Sequence, residues 1–116
     1  QSSEQAVPLL TRRLMRVTAY CPCRKCCVDS SDGITASGHK ISRSDVFAAA
    51  PPSIPFGTLI LIPGYNDDRP VFVLDRIGRS DVNSLDIFFP EHNKAIKWGK
   101  RELIVTIEAY PHVPAK

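Results

Sequence analysis

Two carboxylates stand in apolar strand-like surroundings. Asp75 closes the run Val71 to Leu74, and Asp86 lies between Leu85 and Ile87, eleven residues further on. A carboxylate ending an apolar strand sits at the rim of a core. One flanked by two apolar residues in a strand faces away from both. With Gly78 and Asn83 between them, the two strands have room to fold back on each other and bring both acids to one cleft. Two acids in a partly apolar site resist simultaneous ionisation, so one stays protonated near neutral pH. A proton held there can be given to a glycosidic oxygen. The competing reading is structural: an aspartate at a strand end accepts backbone hydrogen bonds in a turn, and Asp86 pairs with Arg76 or Arg79. Asp67, Asp68 and Asp81 read as turn residues.

A second concentration of chemistry is the cysteine cluster Cys21, Cys23, Cys26 and Cys27. No distant cysteine exists to staple one part of the chain to another. Local disulfides in one of three connectivities are one reading. A thiolate metal site, with His39, His92 or His112 as further donors, is the other. A secreted setting favours disulfides. In either case the cluster orders a loop rather than performing the reaction.

The elements that carry these residues are short. The chain has 116 residues with 43% hydrophobic and 23% charged side chains, enough for one core and not two. Ten prolines and six glycines divide it into brief segments. Residues 1–13 lack a clear period and read as an N-terminal arm. Leu14–Tyr20 alternates as a strand, Cys21–Lys40 is a long loop, and Val46–Ala50, Thr58–Ile62, Pro70–Asp75 and Ser84–Phe89 are further strands. Glu91–Trp98 is the one helical stretch, stopped by Gly99. In Glu102–Glu108, Leu103, Val105 and Ile107 share a face. About six short strands and one helix, spanning residues 14–110 with a tail at 111–116, imply a mainly β fold closed into a small barrel that hides its edges.

The longest apolar runs fall far short of the roughly 20 residues of a membrane-spanning helix, so no span is expected. The opening QSSEQAVPLL has neither a basic nor a long apolar region, as in a mature or trimmed product. A net charge of +3 suits an acidic glycan but is too small to argue for nucleic acid. The basic group Arg12, Arg13, Arg16, Arg24 and Lys25 reads as a solvated face.

Several segments, in order, resemble one family. VTAY at 17–20, TASG at 35–38, PPSIPFGTLILIPGY at 51–65, and Asp75 to Asp86 followed by IFFPEHNKAIKWG are similar to the three-aspartate (3D) domain. That family includes the catalytic domain of membrane-bound lytic transglycosylase A and small secreted stationary-phase muralytic proteins. YCPCRKCC resembles a cysteine-bearing subgroup. The resemblance covers about residues 17–107 and implies a double-psi β-barrel that cleaves the MurNAc-β-1,4-GlcNAc bond of peptidoglycan without water. It places Asp75 as general acid and then base, with Asp86 supporting it. Thr58, Tyr20, Gly78 and Asn83 are expected near the substrate. Thr58 also reads as an ordinary β-branched strand residue, and Tyr20 as a half-buried strand tyrosine. Trp98 is expected in the core. The chemistry requires no cofactor, and a structural metal enters only through the cysteines.

The expected setting is secreted, periplasmic or cell-wall associated, and the expected state a monomer. Two departures stand out. Ala50 replaces the family's first aspartate, and Asp45, five residues upstream, falls on the other face. Arg76 to Asp81 also differs from the family's Thr-Gly-Gly stretch. The missing acid supports an alternative, a non-catalytic, expansin-like glycan-binding barrel. A metal- or redox-responsive module centred on the cysteines is a third reading.

Overall fold

The structure is a computed structural model and describes residues 9–21, 33–77 and 82–109. Six strands close into a barrel: β1 (Leu9–Tyr20), β2 (Ala48–Ala50), β3 (Leu59–Leu61), β4 (Val71–Arg76), β5 (Ser84–Phe88) and β6 (Arg101–Ala109), with one α-helix among the described residues, α1 (His92–Trp98). Around the barrel the order is β1-β5-β2-β4-β3-β6. β1 and β5 run parallel, as do β2 and β4, while the other neighbours are antiparallel. Closure leaves no strand at the end of an open sheet, which is how a sheet built from segments of three to twelve residues protects its backbone.

The mainly β barrel and the short helix before the last strand are as expected from the sequence pattern. The strand boundaries move in one important place. β1 begins at Leu9, so Leu9–Arg13, read above as part of an arm, pairs with β6 in an unbroken ladder from Leu9↔Ala109 to Val17↔Arg101. The sequence signal is weak there because the barrel has no core to offer that end of the strand: Leu9 and Leu10 are both exposed.

The interior is filled by inward-facing residues of every strand, among them Met15, Val17, Ala48, Ala50, Ile60, Val71, Val73, Leu85, Ile87, Val105 and Ile107. Leu103 packs against this core, so the alternation read in β6 is the alternation observed. Trp98 is buried at one end of the barrel, where its indole N–H donates to the Val17 carbonyl at 3.0 Å. The Arg101 guanidinium lies 3.9 Å from the Trp98 ring centroid. Gly99 ends α1 with φ 68°, ψ −130°, a backbone conformation open to glycine and strained for other residues, and its N–H caps the Ala95 carbonyl.

Asp67 and Asp68 are turn residues, as expected. With Asn66 they form a left-handed turn between β3 and β4, at φ 57°, 54° and 59° for residues 66 to 68, and the Asp68 carboxylate accepts the Gly64 N–H at 2.8 Å. Just before this turn, the buried Tyr65 hydroxyl donates to the Phe88 carbonyl and accepts from the Phe47 amide at 3.1 Å. Burial pushes the Tyr65 pKa up, so the group remains a neutral donor.

Candidate active site

β4 and β5 are not neighbours. β2 lies between them, which corrects the expectation that the two acid-bearing strands fold directly onto each other. The reason is topological: the short connection after β4 leads to a strand that pairs parallel with β1, leaving a slot that β2 fills. The acids nevertheless share one level of the sheet. Ala49 is opposite Asp75 on one side and Asp86 on the other, and Asp86 is opposite Thr18. Thr18, Asp86, Ala49 and Asp75 thus form a row across four strands, with the acids two inter-strand spacings, about 10 Å, apart along the backbone.

A bulge makes this row possible. Ala48 pairs with Val73, but Ala49 pairs with Asp75, so β4 contributes one extra residue, Leu74, at this point. Strict alternation from the buried Val71 and Val73 would aim Asp75 into the core. The extra residue reverses its facing and turns the carboxylate out, a common use of bulges beside functional groups.

Asp75 is half-buried and accepts three hydrogen bonds. The Tyr20 hydroxyl donates to Oδ2 at 2.9 Å, and the Ala36 and Arg76 amides donate to Oδ1, each at 2.9 Å. Among the described residues it belongs to no ion pair. Arg76 is occupied elsewhere, donating to the Ala50 carbonyl at 3.2 Å and lying 4.0 Å from the Phe56 ring centroid. Asp86 accepts from Thr18 Oγ1 at 3.0 Å.

Tyr20 is the half-buried strand tyrosine expected of its position, with a further role. Its ring stands edge-on to Phe47 and Phe88, at centroid distances of 6.4 and 5.8 Å, and these two phenylalanines stack at 4.7 Å. This small apolar cluster covers the outer face of the sheet beside the acids and fixes the direction of the hydroxyl.

The segment 33–47 packs over the cluster. Its turn is built by mutual bonds: the Thr35 amide donates to the His39 carbonyl at 2.8 Å, and the His39 amide donates to Thr35 Oγ1 at 3.1 Å. The Ser37 amide donates to the Leu74 carbonyl at 3.2 Å, at the bulge. The imidazole of His39 lies edge-on to Phe47, with Nε2 2.9 Å from Asp45 Oδ2, which also accepts the Ser42 amide. Burial works against the charged form of Asp45, but the Ser42 amide and the His39 partner outweigh it and hold the carboxyl below its ordinary value. Asp45 is thus a loop residue paired with His39, not a strand residue.

The remaining expected site residues separate. Asn83 accepts from the Arg13 guanidinium at 3.2 Å, at the start of β5. Thr58 lines a shallow depression of about 220 Å³ with Phe56, Leu59 and Glu108, and Asp75 is not among its walls. Gly78 lies outside the described residues. Ala50 is fully buried in the core, whereas its neighbour Ala49 stands in the row of acids, so an aspartate at position 50 would point away from Asp75 and Asp86. The Ala36 amide and the Thr18 hydroxyl went unrecognised. Thr18 was accessible from the alternation of VTAY, which puts it on the face of Tyr20, but a backbone amide leaves no sequence signal.

Cys21 is buried at the end of β1, and its Sγ is 3.3 Å from His92 Nδ1 at the start of α1. Cys23, Cys26, Cys27 and His112 lie outside the described residues, among which no three metal-ligating side chains are gathered.

The chain matches no protein-family model, and no curated protein is significantly similar to it.

Proposed function

We propose that the protein is an exported lytic transglycosylase of peptidoglycan, with Asp75 as the group that moves the proton. The observation that carries this reading is the setting of Asp75: a half-exposed carboxylate turned outward by a bulge and gripped by a tyrosine hydroxyl, with no cation partner among the described residues. The hydroxyl matters because it is amphoteric. It donates to Asp75 when the carboxylate is ionised and can accept from it when the acid is protonated. A residue that must first give a proton and then take one needs a partner that tolerates both states.

In the proposed reaction Asp75 protonates the oxygen leaving MurNAc as the glycosidic bond breaks. The resulting carboxylate then removes the proton of the C6 hydroxyl of the same sugar, and that oxygen closes a 1,6-anhydro ring on C1. The nucleophile is already attached to the substrate, so no water needs positioning and the effective concentration is high. Asp86, on the same sheet face and bonded to Thr18, supplies negative charge as the sugar becomes oxocarbenium-like. No residue role in this scheme calls for a cofactor.

Incubation with purified peptidoglycan should release anhydro-muropeptides detectable by mass spectrometry. Asp75→Asn should abolish release while leaving co-sedimentation with the glycan nearly unchanged. A second reading, a non-catalytic glycan-binding barrel, is favoured by the alanine that stands between the two acids, where a third acid would face the same side. Co-sedimentation without any anhydro product from the native protein selects it.

A further inference from the structure

Strand β1 is paired along one edge for nine residues, Leu9 to Val17 against β6, but along the other only from Arg16 onward, where β5 begins. The phase of its backbone is set by two bonds to the β5 side: the Arg16 amide donates to the Asn83 carbonyl at 2.8 Å, and the Tyr20 carbonyl accepts from the Phe89 amide at 2.9 Å. Even-numbered residues of β1 therefore turn their N–H and C=O groups away from β6. Continued down the regular ladder, Leu10, Arg12 and Leu14 turn theirs the same way, past the point where β5 starts. No backbone bond fills these positions among the described residues. The side chains alternate as well: Leu10 is 67% and Leu14 60% exposed, with the exposed Arg12 between them.

We infer that this edge of β1 takes up an acidic polypeptide segment in extended form, as an added strand. Backbone bonds to Leu10, Arg12 and Leu14 set the register, and apolar, acidic and apolar side chains at every second residue of the segment match the Leu–Arg–Leu face. A groove of about 250 Å³ lined by Leu14, Met15, Arg16, Asn83 and Glu102 receives the apolar end of the segment, which keeps its acid at Arg12 and away from Glu102. A second copy of the chain fits poorly. In every antiparallel self-pairing of the edge, Arg12 meets either an apolar residue or another arginine, and guanidinium groups placed directly across a strand pair repel. An acid across from Arg12 removes that conflict. The inference stands apart from the glycan chemistry proposed above, because it uses none of the residues around Asp75.

The test is an NMR titration of the ¹⁵N-labelled full chain with a blocked pentapeptide carrying valine, glutamate and valine at positions 1, 3 and 5 and threonine between them, so that the three share one strand face. Amide shifts should concentrate on Leu10, Arg12 and Leu14, weaken with added salt, and lose at least tenfold in affinity with Arg12→Glu, an exposed substitution the fold tolerates. Absence of shifts at millimolar peptide overturns the inference, as does equal binding of the peptide with lysine in place of glutamate. Sedimentation of the native chain as a dimer that Arg12→Glu dissociates also overturns it, since the edge is then taken by a second copy.

Discussion

The hydroxyl of Tyr20 reaches across from the end of β1 to Asp75 on β4, at 2.9 Å, although β5 and β2 lie between those strands in the sheet. The reach is possible because both side chains stand on the outer face and the Tyr20 ring packs edge-on against Phe47 and Phe88. Tyr20→Phe keeps the ring packing and removes only the donor. A hydrogen bond to a charged group contributes about 1.5–3 kcal/mol. Release of anhydro-muropeptides should therefore fall about 10- to 100-fold, with a changed pH–rate profile, when measured well below a thermal midpoint that drops by roughly 5–15 °C. An unchanged rate would remove Tyr20 from the mechanism.

Position 50 tests the facing of β2. Ala50 is fully buried among apolar side chains, and the Arg76 guanidinium beside it is already engaged by the Ala50 carbonyl and the Phe56 ring. Ala50→Asp, which restores the residue expected from the family resemblance, should destabilise the barrel by more than about 3 kcal/mol, read as the shift in urea midpoint. A native-like midpoint would mean that position 50 faces the acids and that the bulge assignment is wrong.

The loop over the aromatic cluster should be acid-sensitive. The Asp45 carboxyl is held below its ordinary value in the folded protein. Its stabilisation is complete above the unfolded-state value of about 3.9 and is lost as pH falls through the lower folded value. Denaturation midpoints measured from pH 5 to pH 2 should drop across this window. Asp45→Asn should lower the midpoint at pH 5 and flatten the drop. Parallel curves for the two proteins would exclude the pairing.

Gly99→Ala forces a side chain onto a backbone with φ 68° and ψ −130° at the end of α1. The strain should cost about 1–3 kcal/mol, visible in thermal unfolding. Because the helix carries Trp98 and its bond to the Val17 carbonyl, tryptophan fluorescence reports whether the loss is local or global. A stabilised variant would show that the turn accepts another conformation.

Much of the barrel was legible in the sequence because burial imposes a period. Leu103, Val105 and Ile107 face the core as their spacing requires, and Gly99 ends the helix because few other residues adopt its geometry. The site was legible only in part. The two acids were identifiable from apolar neighbours, but their relation was not, since strand order is set by which edges pair and not by any local pattern. The bulge at Leu74 was invisible for the same reason: VFVLD reads as an apolar run ending in an acid, and the extra residue shows only against Ala48 and Ala49. Leu9–Arg13 was missed because hydrogen bonds to β6, and not burial, hold it in a strand.

The pairing partners of β1 have a consequence for the order in which the molecule is made. The first strand of the chain bonds only to β5 and β6, the last two. A growing polypeptide cannot satisfy β1 until β6 has left the ribosome, so the barrel closes only once its last strand has been made. Until then the strands already made keep unpaired edges exposed, so the backbone of this fold is protected last where it is made first.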